Sequence, residues 1–538
     1  MPRNRWTLAF ALLLLPLWAA AATGIRTGDA GLDAIFARIA DRDFDTKAEG
    51  IAALAQTGDP RAPQWLRGIL DGDLRYRSKT GALVFVRGSG SKLAISSAID
   101  GSDLGTERSR RLKRLPINNR IRRQIQGLLA AFDLRSEDPA KRLAAVQEML
   151  SKPDPANADL LRPRLSTETD PRVRAAIRTA VALADLGRPE PKDRLSAIEA
   201  VSGSLEPSVR AGLGRLAASD PDAAVKAAAA AALAKIDKRV ALYGHVETLF
   251  FGLSLGSVLV LAAIGLAITF GVMGVINMAH GELIMLGAYT TYLIQQAMPG
   301  MPGVSLGLAI PAAFLVCGLI GIAIERGVIR FLYGRPLETL LATFGISLIL
   351  QQAVRTLISP QNVPVSNPAF MSGSWEINAV LSITYNRLYI LIFCLLVFAA
   401  LLLILKRTPL GLQVRAVAQN RAMARAMGVH SDRVDALTFG LGSGIAGVAG
   451  VALSQLTNVG PNLGQSYIVD SFMVVVFGGV GNLWGTLIGG LGLGVANKWL
   501  EPWSGAVLAK ILILVFIILF IQKRPRGLFP QKGRAAEG

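Results

Sequence analysis

The chain has 538 residues, of which 51% are hydrophobic and 18% charged, with a formal net charge of +19 and two cysteines. Two cysteines cannot form a disulfide framework, and the apolar content excludes intrinsic disorder for the second half of the chain. The basic surplus does not indicate nucleic-acid binding, because the sequence has no basic stripe with stacking aromatic residues. Residues 1–244 carry 39 Lys and Arg against 28 Asp and Glu, whereas residues 245–538 carry 18 against 10. The second half is therefore poor in charge and suited to lipid.

The first 22 residues have the pattern of a secretory signal peptide. A basic start, from Met1 to Arg5, precedes an almost wholly apolar stretch and a run of alanines that ends at Ala22. The apolar stretch is too short to span a bilayer, so we expect cleavage after Ala22 and export of the segment that follows. An uncleaved anchor is the alternative, and it exports the same segment.

Residues 23–240 are predicted to form an exported helical domain. Acidic residues followed by proline recur there, and such a pair suits a helix start because the carboxylate accepts from free amides and proline fits the first turn. Their spacing of roughly 32 to 50 residues indicates stacked helix pairs of the HEAT-like kind, although alanine-rich bundles begin helices in the same way. The pairs are Asp59-Pro60, Asp138-Pro139, Asp170-Pro171, Asp220-Pro221 and the variant Glu206-Pro207.

This domain also carries a β-prone insertion. Residues 83–86 and 93–95 are separated by a glycine-containing turn sequence, which predicts a small hairpin. Residues 108–123 then concentrate positive charge, which indicates a solvated loop or a contact with anionic lipid headgroups or a partner. The segment has no cluster of His, Cys and carboxylates, no nucleophile motif and no phosphate loop. A binding or docking module is therefore favoured over an enzyme.

Residues 245–525 carry nine long apolar runs separated by short polar breaks. Runs near 20 residues cross a bilayer core of about 30 Å, so we expect an all-α polytopic membrane domain with about seven to nine spans. The two runs between 467 and 499 are short and rich in glycine, which indicates discontinuous helices. Lys and Arg cluster at 326–335, 406–433 and 523–534. The positive-inside rule therefore places these segments, including the tail at 526–538, in the cytoplasm.

Polar side chains inside apolar runs are costly, and they are therefore candidates for a transport pathway. Asn277, His280 and Glu282 lie in a glycine-rich junction between the first two runs, a sequence that can break a helix. The junction is predicted to be an inner gate or, alternatively, a structural cap in which Glu282 satisfies a helix start. His280 alone does not make a metal site. Thr343 is assigned to the pathway, and Asp470 to the pathway or an inter-subunit contact.

The longest predicted cytoplasmic loop covers residues 406–433. Its arginines alternate with apolar residues over 415–427, which predicts one short amphipathic helix with Gly428 as its C-cap. A rigid helix at the surface is suited to receive force from a soluble partner, whereas a solvated basic loop is the alternative.

Four motifs, together and in this order, resemble those of the permease subunits of branched-chain-amino-acid-type (LivH-like) ABC importers over residues 247–530. The long N-terminal extension departs from the amino-acid branch and is similar to the urea-transporting (UrtB) branch. The motifs are Gly271-Val-Met-Gly274-Val-Ile-Asn277-Met-Ala-His280-Gly-Glu282, Thr339-Leu-Leu-Ala-Thr343-Phe-Gly345-Ile-Ser347, Thr408-Pro-Leu-Gly411-Leu-Gln-Val-Arg415, and Val476-Phe-Gly478-Gly-Val-Gly481-Asn-Leu-Trp484-Gly485.

The resemblance implies a bacterial inner-membrane subunit that works with a second permease, two ATP-binding cassette subunits and a periplasmic solute-binding protein. The sequence has no Walker-type phosphate loop, so ATP would be hydrolysed by a separate chain and this one would need no cofactor. The solute implied first is urea, and branched-chain or other amino acids come second. A passive channel, an ion-coupled carrier and a membrane-anchored receptor are the rivals. By resemblance the loop helix docks on the ATPase, through Gly411, Arg415, Ala416, Asn420, Arg421, Arg425 and Gly428.

Overall fold

The computed structural model describes residues 25–88, 90–151 and 155–529. The predicted signal peptide at 1–22 and most of the predicted tail at 526–538 lie outside the described residues. The chain divides into two compact units, Met1–Asp237 and Lys238–Gly538, and helices dominate both.

Three helices open the N-terminal unit and share a core with a small sheet. The ring of Trp65 is fully buried, lies 5.5 Å from the ring of Phe36, and donates from Nε1 to the carbonyl of Ala98 at 2.7 Å. The apolar face of each helix is thereby removed from water, which is the main favourable term in folding. The helices are α1 (Ala30–Ala40), α2 (Phe44–Gln56) and α3 (Ala62–Asp71).

The predicted hairpin is only part of a five-stranded antiparallel sheet with the strand order β4-β3-β2-β1-β5. The apolar pattern revealed β2 and β3, whose Val84, Val86, Leu93 and Ile95 are buried. The others carry weaker signals, since five of the six residues of β4 are exposed and β5 has three residues. The strands are β1 (Leu74–Arg77), β2 (Leu83–Arg87), β3 (Lys92–Ser97), β4 (Asp103–Arg108) and β5 (Leu112–Arg114).

The rest of this unit repeats with a period of 52 residues and three helices, rather than as the predicted helix pairs. The repeat is visible in the helix starts, at 119, 139 and 155 and again at 171, 191 and 207. Side chains that cap helix N-termini follow the same period, at Asn118, Asp170 and Asp222. The helices are α4 (Asn119–Asp133), α5 (Pro139–Ser151), α6 (Pro155–Thr167), α7 (Pro171–Asp185), α8 (Pro191–Val201), α9 (Pro207–Ser219) and α10 (Ala223–Met273).

The Asp-Pro pairs predict three of the five helix starts correctly. Helices begin directly after Asp138, Asp170 and Glu206, whereas Asp59 and Asp220 lie in the turns before α3 and α10. Asp220 is occupied elsewhere, because its Oδ1 accepts from Nη2 of the buried Arg194 at 3.0 Å and its Oδ2 lies 2.9 Å from Arg194 Nε. The neighbouring Asp222 caps α10 in its place.

Each three-helix repeat contains the same buried ion pair. Arg142 contacts Glu168 at 2.7 and 2.9 Å, and Arg194 contacts Asp220 one period later. Each arginine also donates to two carbonyls, five and six residues before it. Each desolvated guanidinium therefore has both a counter-charge and carbonyl acceptors, which favours a buried pair, although Arg194 Nε has no hydrogen-bond partner among the described residues.

Replacing Glu168 by glutamine is expected to destabilise this repeat by about 3–5 kcal/mol, because Arg142 would stay buried without a counter-charge. Arg142 holds the pKa of Glu168 below its usual value. The stabilisation is therefore complete above the unfolded pKa of about 4.3 and is lost as the pH falls through the lower folded pKa. Hydrogen exchange of the α5 to α7 amides in the full chain at pH 7 measures the change.

The control for this variant is Asp193→Asn. Its pair with Arg188 is 3.2 Å long, and both side chains are more than 40% exposed, so the expected change is about 0–1 kcal/mol. Equal exchange rates in the two variants would contradict a special role for the buried pair.

The C-terminal unit is a helical bundle with one two-stranded ribbon. Its elements after α10 are α11 (His280–Ala297), α12 (Pro302–Gly327), α13 (Pro336–Leu357), β6 (Ser374–Glu376), β7 (Ser382–Thr384), α14 (Tyr385–Arg407), α15 (Pro409–Gln419), α16 (Arg421–Ala426), α17 (Ser431–Ser454), α18 (Leu463–Gly478), α19 (Leu483–Ser504) and α20 (Ala506–Lys523).

Six helices in the described residues are long and apolar enough to cross a membrane, fewer than the seven to nine spans predicted. They are α10, α12, α13, α14, α17 and α20. The remaining apolar runs form α11, α18 and α19. The backbone is non-helical at 274–279, before α11, and at 479–482, between α18 and α19. α18 has only 16 residues, and α11 and α19 contain polar residues and glycines. These three helices nevertheless pack within the same bundle: α19 lies against α10, where Gly252 faces Val495 and Gly256 faces Leu491.

Helix α17 forms the centre of the bundle. Nearly all of its residues are buried, and α11 and α12 pack against it. A Cβ on Gly442 would lie 2.7 Å from the carbonyl oxygen of Gly265, and one on Gly444 would lie 2.8 Å from the ring of Phe314. The glycines of this helix therefore allow close backbone approach, as small residues do in membrane helix pairs.

Candidate transport pathway and coupling loop

A break in the backbone lies inside the bundle between α10 and α11. Gly274 adopts a positive φ of 65° after α10, and the chain is unwound up to His280, where α11 begins. Asn277 and His280 are fully buried there. Asn277 Oδ1 accepts from the amide of Ala279 at 3.0 Å, and His280 Nε2 lies 2.9 Å from the carbonyl oxygen of Ala262. Since a carbonyl only accepts, the imidazole donates from Nε2 and its Nδ1 is an acceptor when the ring is neutral.

Helix α13 brings Thr343 and Glu282 to this junction. Thr343 Oγ1 accepts from the amide of Met278 at 3.1 Å, and Ser347, one turn further along α13, donates to Glu282 Oε1 at 3.1 Å. The structure therefore brings together four of the five residues that the sequence assigns to the pathway.

The contacts on α13 belong to a longer polar stripe. Thr339, Thr343, Ser347 and Gln351 are buried at successive four-residue steps, and Arg355 continues the series. Gln351 Nε2 and Arg355 Nη2 both donate to Asn462 Oδ1, at 3.1 and 2.7 Å. Sixteen residues of α-helix span about 24 Å, most of the thickness of a bilayer core. The four-residue spacing of polar residues within an apolar run was the signal that could have identified Ser347 and Gln351.

Three atoms of the junction have no hydrogen-bond partner among the described residues. They are Asn277 Nδ2, His280 Nδ1 and Glu282 Oε2. Leaving a buried polar atom unpaired costs about 1–3 kcal/mol, and native proteins usually avoid it. The junction therefore offers both donors and acceptors for a small polar molecule. No group of metal-binding residues was found in the part of the chain that the structure describes.

The fifth predicted pathway residue, Asp470, has a different environment. Its carboxylate on α18 forms an ion pair with Lys510 of α20 at 3.2 Å, and Leu259 and Ile513 line the small cavity beside it. The pair joins α18 to α20, so it explains Asp470 without any contact to the junction.

The predicted loop helix is in fact two short helices, α15 and α16, with a break at Asn420. Asn420 is extended, with φ −157° and ψ 100°, and its side chain accepts from the amide of Met423 at 2.9 Å, which caps α16. Asparagine favours this capping role over a helix interior, so the single-helix prediction was wrong. Gly428 follows α16 with φ +88°, the conformation expected of a residue just beyond a helix end.

Arg421 points into the protein. Its guanidinium holds the fully buried carboxylate of Asp435 with two bonds of 2.6 and 3.1 Å and lies 5.0 Å from the ring centre of Tyr333. The hydroxyl of Tyr333 donates to Glu325 at 2.9 Å. Burial raises the pKa of Tyr333, so this hydroxyl keeps its proton. Arg421 thus fastens the loop to α17 and α12.

Three more of the predicted loop residues lie either at the surface or where the loop packs against the end of α14. Arg425 pairs with Asp432 at 2.7 Å, with both side chains mostly exposed, and Arg415 donates to the carbonyl of Leu405 at the end of α14. A Cβ on Gly411 would lie 2.6 Å from Cα of Leu405, so only glycine fits this turn.

The two short helices bury one face and expose the other. Val414, Val417 and Ala424 are buried with Val434 of α17, and Ala416 packs beside them. Leu412, Met423 and Met427 are 64%, 60% and 79% exposed. Exposed large apolar side chains on a well-fastened element are typical of a docking surface.

The family described as "Branched-chain amino acid transport system / permease component" matches residues 248–521, just over half of the chain. The chain is 33% identical over 298 residues, 53% of its length and 96% of the relative's, to the high-affinity branched-chain amino acid permease protein BraD of Pseudomonas aeruginosa. It is 32% identical over 293 residues to LivH of Escherichia coli K12, covering 52% of this chain and 94% of LivH. It is 26% identical over 284 residues to the E. coli K12 ribose import permease protein RbsC, covering 51% of this chain and 84% of RbsC. The comparison with solved structures found no match. The chain therefore belongs to the family of branched-chain amino acid transport system permease components.

Proposed function

We propose that this chain is a permease subunit of an ABC importer that moves a small polar solute into the cytoplasm. It would act in the bacterial inner membrane with a second permease, two ATP-binding cassette subunits and a periplasmic solute-binding protein. The observation that carries the proposal is the α15–α16 loop, which Arg421 and Asp435 fasten to the bundle while Leu412, Met423 and Met427 face outward. A rigid element with an exposed apolar face suits the transfer of motion from a partner that hydrolyses ATP.

The distribution of basic residues supports a cytoplasmic position for this loop. The end of α12, the end of α14 and the end of α20 carry Arg326, Arg407 and Lys523, and the loop follows α14 directly. The positive-inside rule places these ends on the same, cytoplasmic side. Helix α11 connects the end of α10 to the start of α12, so its crossing of the membrane would place the N-terminal unit in the periplasm, behind a cleaved signal peptide.

The junction and the polar stripe of α13 are the proposed solute pathway. Asn277, His280 and Glu282 each retain an unpartnered polar atom, and Thr343 and Ser347 supply hydroxyls beside them. A backbone break at membrane depth is tolerated where it is covered by protein or lines a cavity, as in transporters. An inner gate is therefore our preferred role for the junction.

Urea is the solute we propose first. The N-terminal unit lies outside the region that the family and the relatives match, and a similar extension marks the urea-transporting branch. The paired donors and acceptors of the junction also suit an uncharged amide, which needs both. Branched-chain amino acids are the second candidate, because the permeases BraD and LivH are named for them.

Uptake of labelled urea and labelled leucine by a strain lacking this chain, with and without the restored gene, tests the proposal. We expect restored urea uptake that ends when the ATPase partner is inactivated by substitution. Leucine uptake alone would replace urea by the second candidate. Urea uptake that survives loss of the ATPase would overturn the importer in favour of a passive channel.

Replacing Glu282 by glutamine is expected to reduce solute uptake by about fivefold, because the amide changes the donor and acceptor pattern at the unpartnered Oε2 position and one hydrogen bond contributes about 1 kcal/mol. The control is Glu338→Gln on α13, whose side chain is 55% exposed and which should transport normally. Initial uptake rates at equal protein levels measure the effect. Unchanged uptake by the Glu282 variant would remove this residue from the pathway.

A further inference from the structure

A cavity of about 720 Å³ is lined by none of the residues of the proposed pathway. Its lining combines Lys406 and Arg415 with apolar side chains such as Leu402, Leu405 and Trp484. Among the described residues, no acidic one borders the cavity. The cavity is therefore amphipathic and positively charged.

The cavity lies where several membrane helices end. It is bordered by Gly271 and Val272 near the end of α10, Lys406 in the last turn of α14, and Leu483 at the start of α19. Helix ends at a common level mark the boundary between the hydrocarbon core and the headgroups. The half-exposed ring of Trp484, 5.2 Å from that of Phe398, fits the same boundary, where tryptophan is enriched.

The cationic groups are available for a ligand. Lys406 has no ion-pair partner in the described part of the chain, and the contact of Arg415 is to a neutral carbonyl. Basic pockets between membrane helices on the cytoplasmic side are suited to anionic lipid headgroups. The apolar wall formed by Leu402 and Leu405 is suited to an acyl chain.

We propose that this cavity binds an anionic glycerophospholipid, with its phosphate beside Lys406 and Arg415 and an acyl chain against the apolar wall. The segment after Phe529 fits less well, because residues 530–538 contain Lys532 and Arg534 against a single acid, Glu537. The two positive charges of this segment would then lie beside the positive charges of Lys406 and Arg415 in the cavity. The proposal does not depend on which solute the permease carries.

Native mass spectrometry of the purified full-length chain, with phosphatidylglycerol or phosphatidylcholine of the same acyl chains, tests the proposal. We expect phosphatidylglycerol to be retained preferentially, and Lys406→Gln to weaken its binding about fivefold. Arg407→Gln is the matched control, since this neighbouring cation does not line the cavity. Lipid binding by this variant should be unchanged. Equal retention of both lipids, or equal losses in both variants, would overturn the proposal.

Three further experiments test the position of the lipid and distinguish it from other occupants. Brominated phosphatidylglycerol should quench the fluorescence of the intact chain more than that of Trp484→Phe, and equal quenching would contradict binding at this cavity. Glycerol phosphate should not displace the lipid, and full displacement would indicate a free phosphate site instead. A truncation after Phe529 should bind lipid as the intact chain does, whereas a marked gain would identify the tail as the occupant.

Discussion

Replacement of Arg421 by glutamate is expected to abolish ATP-driven uptake while the chain still inserts into the membrane. The new carboxylate would face Asp435, which is completely buried and has Arg421 as its ion-pair partner. Leaving one member of a buried pair uncompensated costs about 3–5 kcal/mol, and a second negative charge adds repulsion. The loop would detach from α17 before the bundle unfolds, because its remaining core is the small cluster around Val414 and Val417.

The experiment compares uptake and protease sensitivity of the loop in Arg421→Glu and Arg425→Glu. Arg425 pairs with Asp432 at the surface, with both side chains more than half exposed, so its reversal should change loop protection little. The double exchange Arg421→Asp with Asp435→Arg should restore part of the protection. Normal uptake by Arg421→Glu, at a normal protein level, would show that the ion pair between Arg421 and Asp435 does not transmit motion.

The sequence indicated some of the backbone interruptions of the membrane unit, because glycine acts locally. The break before His280 and the left-handed Gly428 lie where the residues predict them, whereas the break at Asn420 was not predicted. Each of these features depends on the conformational preferences of a few neighbouring residues. The site residues at the junction could be selected for the same reason.

Pairings between distant segments could not be predicted in this way. The resemblance assigns Arg421 to the ATPase contact, and its pairing with Asp435 could not be predicted because Asp435 lies 14 positions later at the start of an apolar helix. Asp470, predicted for the pathway or an inter-subunit contact, pairs with Lys510, which lies 40 positions away. Charge and spacing show that a polar group needs a partner, but the tertiary fold decides which partner it finds.

The repeat of the N-terminal unit was likewise not predicted correctly from the sequence. The Asp-Pro pairs predict helix pairs, whereas the 52-residue period is visible in the caps Asn118, Asp170 and Asp222 and in the buried ion pairs of Arg142 and Arg194. Asparagine and aspartate are interchangeable as caps. The period is therefore visible when these positions are compared by their capping role, but not when they are compared by residue identity.

Replacing Gly287 by leucine is expected to reduce the amount of folded protein by more than tenfold. A Cβ on Gly287 would lie only 2.5 Å from Cα of Gly447, so the backbones of α11 and α17 are in direct contact at this point. A leucine would force these helices apart around the most buried helix of the bundle. Overpacking by a few carbon atoms costs about 1–3 kcal/mol in a core that can adjust, and backbone atoms cannot move aside as a side chain can.

The matched control is Gly345→Leu on α13, since a Cβ at Gly345 would meet no atom within 4 Å. That variant should accumulate as the wild type does, because the change adds an apolar side chain to an apolar helix and replaces glycine by a better helix former. Fluorescence-detected gel filtration of tagged chains measures the folded amount of each. If Gly287→Leu also accumulated normally, α11 and α17 could not be in backbone contact, and the junction at Asn277 to Glu282 would lose the support that holds it.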